Sequence, residues 1–315
     1  MLTIESLRSF NSPWKSCAIT MGNFDGIHLG HQKLISRLLN AADEPGVKPV
    51  VIVYEIPHDD NSQKEPRSIF SPSEKVKLLK AAGVENVLSV ELNQDLRNIS
   101  AHTFLNEILI ERLKAHSIII GYDHRFGKDR LGDFNFLLKQ QEHGNFETFQ
   151  VEEIRFNNKV VSSSLIRNYI LSGRLPEANH LLLKPFFVDT TVIHGNKRGK
   201  KIGFPTANLN ISKGKIYPPP GVYFTAALYK GVLYKALTNI GTNPTFDGTK
   251  RSIETHILNF NNNIYDENLT VFFLEKIREE MRFSDVSTLQ EQIQNDIKLS
   301  EKFVLDNIKN QLTFD

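Results

Sequence analysis

The chain has 315 residues, of which 40% are hydrophobic and 23% charged, and a formal net charge of +2. Basic against acidic side chains stand at 21 to 22 over residues 1–180 and 17 to 14 over residues 181–315, so bulk charge makes neither half a polyanion binder. One cysteine, Cys17, excludes an internal disulfide framework and any multi-cysteine zinc or iron–sulfur cluster. Any phosphate contact must then come from local placement of charge. No apolar run approaches the ~20 residues of a bilayer span, and the opening MLTIESLRSF has no signal-peptide core. A soluble, cytoplasmic protein without a membrane partner is expected. At roughly 150 residues per domain, the length suggests two domains.

In chain order, the first half alternates short apolar runs with helical patterns. Cys17–Met21, Val50–Tyr54, Val87–Val90, Ser117–Ile120 and Phe146–Val151 read as strands of a buried parallel sheet. Ser71-Pro72-Ser73-Glu74 carries a capping hydroxyl, a proline at the first helical position and an acid two residues later. Ser100 caps a helix with Phe104, Leu105, Ile108, Leu109 and Leu113 on one face. Gly144 stops a helix over Asp133–His143. Strands separated by helices predict a doubly wound α/β domain.

From Pro185 the pattern changes to strands joined by turns: Phe187–His194, Val222–Tyr229, Leu233–Ile240, Ile253–Phe260 and Leu269–Leu274. Lys230-Gly231 reads as a tight hairpin turn. Closure removes exposed edges, so an antiparallel β-barrel is expected. A terminal helix follows, with Ser287 and Gln290 as capping box and Leu289, Ile293, Ile297, Val304 and Ile308 as its buried stripe.

The first strand runs into Gly22-Asn23-Phe24-Asp25-Gly26-Ile27-His28-Leu29-Gly30-His31. Backbone N–H groups at a helix start favour an anion, and glycines allow close approach. Strand, glycine loop and helix in that order suggest a phosphate cradle in which both imidazoles donate hydrogen bonds. Alone, the pair could be two surface histidines; as two zinc ligands it makes a poor site. Ser162-Ser163-Ser164-Leu165-Ile166-Arg167 opens a short helix ended by Gly173, a second anion-binding end or a plain N-cap with a solvated arginine.

The second half opens with Gly195-Asn196-Lys197-Arg198-Gly199-Lys200-Lys201-Ile202-Gly203. It is not a P-loop: three residues separate Gly195 from Gly199, and Lys201 stands where a hydroxyl is needed. As a charge run alone it would be a solvated loop or a nuclear signal.

Gly22–His31 resembles the GxFDGxHxGH signature of bacterial bifunctional riboflavin kinase/FMN adenylyltransferases, the FAD synthetases. Ser162–Arg167 is similar to the SSTxIR motif of that family, with Ser164 in the Thr place. Gly121–Gly127 is similar to its GxDFxFG loop, with His124 for Phe. Gly203-Phe204-Pro205-Thr206-Ala207-Asn208 resembles its GxPTAN signature. Gly221–Tyr223, Asn239–Phe246, Ile253–His256 and Arg278–Phe283 follow in family order. The chain departs at Val53–Asp59, where the family has TFxPHP, and at Leu183 and Lys184, where it has Gly and Arg.

The resemblance implies an α/β plus β architecture. A Rossmann-like FMN adenylyltransferase domain would cover residues 1–182, and a β-barrel riboflavin kinase domain with a C-terminal helix residues 183–315. It implies phosphorylation of riboflavin by ATP to FMN, then adenylylation of FMN to FAD with release of pyrophosphate. Gly22, Phe24, Asp25, Gly26, His28, His31, Asp123, Ser163, Ser164 and Arg167 would bind ATP in the transferase half, with His28, His31 and Arg167 catalytic. Gly195, Gly199, Gly203, Pro205, Thr206 and Asn208 would bind ATP in the kinase half, with Thr206 and Asn208 also holding Mg²⁺. Glu254 would be the general base, and Arg278 and Phe283 would contact flavin. Partners would be ATP, riboflavin and FMN, not nucleic acid. Two other readings are a kinase with an impaired transferase half, prompted by Val53–Asp59, and a non-enzymatic flavin- or RNA-binding module, prompted by Lys197–Lys201.

Overall fold

β-Branched, wholly apolar strands bury both faces of a sheet only if helices cover each side, and the first half of the chain does this. In the computed structural model, which describes all residues except 1, 4–6, 8–9, 56–67, 196–197, 246–247 and 315, β1 (Leu2–Thr3), β2 (Ser16–Gly22), β3 (Val47–Glu55), β4 (Asn86–Glu91), β5 (Ala115–Gly121) and β6 (Glu147–Val151) form one sheet. Its order is β1-β4-β3-β2-β5-β6, with every neighbouring pair parallel. The helices between are α1 (Leu29–Ala41), α2 (Pro72–Ala81), α3 (Gln94–Arg97), α4 (Ala101–Thr103) and α5 (Phe134–Gln141). Ser100 caps α4 by accepting from the Thr103 N–H at 3.0 Å. The chain then continues as a π-helical segment, Phe104–Arg112, rather than the α-helix expected. Phe104, Leu105, Ile108 and Leu109 pack with Ile19, Met21, Ile118 and Ile120 of the sheet in one apolar core. α5 is capped by Asp133 and ends at Gln141, ahead of the expected stop at Gly144. A small hairpin, β7 (Arg155–Phe156) and β8 (Lys159–Val160), closes this part.

The second part contains α6 (Ser163–Leu171), α7 (Leu175–Leu181), β9 (Phe187–Ile193), α8 (Arg198–Lys201), β10 (Ala207–Leu209), β11 (Gly221–Tyr229), β12 (Val232–Thr245), β13 (Gly248–Ile257), β14 (Asn268–Arg278) and α9 (Val286–Ser300). Its strands close a six-stranded antiparallel barrel in the order β10-β13-β12-β11-β14-β9. A tight hairpin turn is expected at Lys230-Gly231; Lys230 (φ 47°) and Gly231 (φ 79°) both take positive φ, the signature of a two-residue I′ turn. The sequence pattern missed β10. Its three residues begin at the end of the Gly203–Asn208 motif and are too few for an alternation, yet β10 pairs with both β13 and β9 and so completes the barrel.

Two expectations about the terminal helix are corrected. Asp285, not Ser287, is the cap: its Oδ1 accepts from the Thr288 N–H at 2.8 Å. Gln290 instead donates from Nε2 to the Ile202 carbonyl at 3.1 Å. The helix ends at Ser300, and Val304, expected in the buried stripe, is 55% exposed; the helix buries Asp296 and Ser300 instead. Phe303 supplies the apolar contact beyond the helix, its ring stacked on Phe224 at 4.0 Å.

By internal contact, the chain divides into residues 1–64 with 72–162, and residues 65–71 with 163–315. α6 and α7 thus group with the barrel, ahead of the 182/183 division read from the motifs. The cause is visible at Asn179, whose amide donates to Phe273 O (2.9 Å) and accepts from Phe186 N (2.8 Å). Among the described residues, no helix is long and apolar enough to cross a membrane.

Candidate active sites

In the parallel sheet, β3 and β4 lie to one side of β2, and β5 and β6 to the other. Ligands of such sheets bind outside the carboxyl ends of the strands at this switch point. Those ends are Gly22 and Gly121, which lead into the Gly22–His31 loop and the Gly121–Gly127 loop.

His28 is the N-cap of α1, with its Nδ1 accepting from the His31 N–H at 3.4 Å. The two rings stack, with centroids 3.8 Å apart and planes inclined by 19°. A Cβ at Gly30 would crowd this stack, 3.2 Å from the His28 ring. The loop is strained at Phe24 (φ 45°) and Ile27 (φ 43°), and both side chains are buried, so core packing holds an otherwise costly backbone. The Phe24 ring lies 5.1 Å from that of His31. Asp25 is also buried, and Gly26 takes φ 100° beside it.

Protonation follows from this burial. With Nδ1 used as an acceptor, the proton of neutral His28 sits on Nε2, so that edge is its donor. Desolvation pushes the His28 pKa down to about 4. It pushes His31 well below the ordinary value too, helped by the neighbouring charges of His28 and Lys75. At neutral pH both rings are therefore hydrogen-bonding dipoles rather than cations. Positive potential comes instead from the start of α1 and from Lys75, a buried lysine whose Nζ pairs with Glu55 Oε2 at 3.2 Å.

A cavity of about 590 Å³ opens beside this loop, bounded by Gly22, Asn23 and Tyr54 and by the segment Asp123–Arg130. Four cations, Arg97, Arg125, Lys128 and Arg130, line it against two acids, Asp123 and Asp129. Arg125 is tied to Asp133 at 2.5 Å. His28 and His31 are not in its wall. Ser163, Ser164 and Arg167 open α6, in the second unit. The departing residues 56–59 lie outside the described residues.

In the barrel, Glu254 of β13 stands opposite Asn208 of β10 on one side and Asn239 of β12 on the other. Residues directly opposite across strands share a face, so three oxygen-bearing side chains come together. Thr206, just before β10, donates from Oγ1 to Glu254 Oε2 at 3.2 Å. Two cavities meet at Thr206. One, of about 450 Å³, is lined by Gly199, Phe204, Asn239, Glu254, His256, Arg278 and Phe283 among others. The other, of about 340 Å³, is lined by Lys200, Pro205 and the Asn261–Tyr265 loop.

Gly199 caps the loop leading to Thr206: its carbonyl accepts from Phe204 N at 2.9 Å, and a Cβ there would clash with the Phe204 carbonyl. Gly195 lies against the Asn208 side chain, and Gly203 turns the chain at φ 85°. Asn196 and Lys197 lie outside the described residues. Arg278 reaches the larger cavity but is largely committed: Nε and Nη2 grip Asp296 at 2.8–3.0 Å, and Nη1 donates to Glu279 O at 3.1 Å. The Phe283 ring centre is 5.9 Å from its guanidinium carbon. Asn239, His256 and Asp296 were not singled out from sequence. Asn239 and His256 lay within recognised segments, but only strand pairing puts them beside Glu254.

A parallel sheet with loops at its carboxyl ends and a closed barrel with a hydroxyl–carboxylate pair, each in its own unit, fit a two-domain, nucleotide-dependent transferase. A family model for FAD synthetase matches residues 10–165, and one for riboflavin kinase matches residues 182–304. The bifunctional riboflavin kinase/FMN adenylyltransferase of Buchnera aphidicola is 35% identical over 306 residues, covering 95% of this chain and 97% of the relative. That of Pseudomonas fluorescens is 34% identical, covering 94% and 96%. A crystal structure titled as a macrolide-efflux protein from Streptococcus pneumoniae superposes with a TM-score of 0.84 at 29% identity, covering 96% of this chain and 99% of that one. The chain belongs to the bifunctional riboflavin kinase/FMN adenylyltransferase family, and carries both the FAD synthetase and the riboflavin kinase domain of flavin cofactor synthesis.

Proposed function

We propose that residues 183–315 phosphorylate riboflavin to FMN and residues 1–182 adenylylate FMN to FAD, in the cytoplasm and on small-molecule substrates alone. The observation that carries the kinase half is the Thr206–Glu254 hydrogen bond at the meeting of two cavities. Riboflavin occupies the larger cavity and ATP the smaller. Glu254 takes the proton of the 5′-hydroxyl as that oxygen attacks the γ-phosphorus and ADP leaves. Arg278 and Phe283 border the flavin, and the Gly195–Gly203 loop covers the ATP phosphates.

Thr206 and Asn208 offer hard oxygen donors that suit Mg²⁺, which takes few protein ligands and completes its shell with water and phosphate. The Thr206 proton points to Glu254, so the lone pairs of Oγ1 remain for a cation. When bound, Mg²⁺ neutralises phosphate charge.

In the first half, an FMN phosphate oxygen attacks the α-phosphorus of ATP, the bond to the β-phosphate oxygen breaks, and pyrophosphate leaves. Gly22, Phe24, Asp25 and Gly26 shape the loop that receives ATP. His28 Nε2–H, His31 and the start of α1 stabilise developing charge. The cation-lined cavity, with Asp123 on its rim, suits the phosphorylated flavin. The matches to both family models, with bifunctional relatives aligned over nearly the whole chain, argue against an impaired transferase or a non-catalytic module. Incubation with riboflavin and Mg·ATP should show FMN first and FAD after it; FMN without FAD would remove the transferase.

A further inference from the structure

Two residues beyond Glu254 on β13, His256 borders the same cavity of about 450 Å³. The period of two along a strand places both side chains on one face. His256 Nδ1 lies 2.8 Å from the carbonyl oxygen of Pro205. A carbonyl only accepts, so this nitrogen carries the proton. In the neutral ring the other nitrogen, Nε2, is then a lone-pair acceptor. The Phe204 ring meets the imidazole edge-on, with centroids 5.6 Å apart and planes at 83°, fixing the ring from a second side. The ring is thus held by both residues that precede Thr206.

The acceptors of this cavity wall include the carboxylates of Glu254 and Glu280, the Asn239 carbonyl and Nε2 of His256. The apolar remainder includes Phe204, Val222, Leu237 and Phe283. Such a lining suits a ligand with a flat apolar body and several hydroxyl donors.

We propose that His256 is a specificity-determining residue of the kinase site, in which Nε2 accepts from a secondary hydroxyl of the flavin side chain while Nδ1–H holds the Pro205 carbonyl and so positions Thr206. This rests on the reading of the larger cavity as the riboflavin site. One side chain thereby links recognition of the alcohol substrate to placement of the phosphate-binding segment.

The two nitrogens can be tested separately in the full-length enzyme. In His256→Asn the amide nitrogen replaces Nδ1 and keeps the bond to Pro205, but nothing replaces Nε2. In His256→Gln the longer side chain reaches the Nε2 position and gives up the short bond. The probes are riboflavin and a flavin whose N10 chain is a hydroxyethyl group, with a primary hydroxyl and no secondary ones. For His256→Asn, the riboflavin KM should rise about tenfold, the worth of one hydrogen bond, with the ATP KM unchanged. Preference for riboflavin over the truncated flavin should shrink by the same factor. His256→Gln should show the opposite split, with the riboflavin KM near wild type and a raised ATP KM with lowered kcat. An unchanged riboflavin KM in His256→Asn, or losses equal for both flavins, would overturn the proposal. If Asn does not fold, the Gln variant decides, since a raised riboflavin KM with an unchanged ATP KM contradicts the assignment. Glu254→Gln serves as the reference. If it lacks flavokinase activity while the His256 variants behave as wild type, only the role of His256 falls. If it keeps that activity, the placement of the kinase site falls with it.

Discussion

Thr206 and Glu254 lie 48 residues apart in sequence, and their side chains join in one hydrogen bond of 3.2 Å where two cavities of the barrel meet. A carboxylate that already accepts one proton-bearing group is oriented to take another from a substrate alcohol. General-base catalysis of this type contributes roughly 10²–10⁴-fold. Glu254→Gln should therefore lower FMN formation by about that factor and leave FAD formation from supplied FMN within about twofold. Equal loss of both activities would sink the two-site arrangement.

His28 has a structural and a chemical part that different substitutions separate. As N-cap of α1 it is worth ~1 kcal/mol, so His28→Ala should lower the unfolding free energy by about that amount. FAD synthesis should be abolished and flavokinase activity kept. His28→Asn restores a cap without the Nε2 donor, so it should recover stability and not activity. Recovery of both would remove the imidazole from catalysis.

Stability should depend on pH through the buried histidines. The folded pKa of His28 is pushed down to about 4, as is that of half-buried His124, and His31 lies well below its ordinary value. The unfolded chain takes up these protons near pH 6.5 and the folded chain does not. Above that pH the three contribute no pH dependence. As pH falls from about 6.5 towards 4, the folded state should lose ~1.4 kcal/mol per pH unit for each such histidine. Thermal melts across this range should show a steep acid limb, flattened in His124→Phe. An unaltered limb in that variant would mean that His124 is protonated in the fold.

Asp296 of α9 is 2% exposed and grips the guanidinium of Arg278 through two oxygens. Removing one member of a buried pair strands the other. Asp296→Ala should cost ~3–5 kcal/mol in urea unfolding. The double variant Arg278→Met with Asp296→Leu should regain most of that stability, because two apolar side chains need no compensation. A double variant no more stable than Asp296→Ala would show that the ion pair is not the origin of the loss.

Much of the architecture was readable in the chain because its signals are local. β-Branched runs alternating with helical faces mark a parallel sheet, and Lys230-Gly231 marks a hairpin. Ser100 and Pro72 announced their helices. The terminal helix misled because Ser287 and Gln290 have capping-box spacing, whereas Asp285 reaches the free N–H first. β10 was hidden because three residues carry no periodicity, and pairing on both sides gives it stability. Among the residues proposed for the sites, His28, His31, Thr206 and Glu254 stand in consecutive motifs. Asn239, His256 and the cations around the first cavity belong to no pattern that spacing alone could reveal.

The sequence by itself determined the order of the two domains, the nearly neutral bulk charge and the family-like motifs at Gly22–His31 and Gly203–Asn208. Those features depend on residues adjacent in the chain. The tertiary structure decided how the barrel closes, which side chains flank Glu254, and that the buried His28 and His31 rings are uncharged. It also showed that Arg278 is already bound to Asp296. Each of these depends on strand register or on exclusion of water, which bring together residues far apart in sequence and reset their energies.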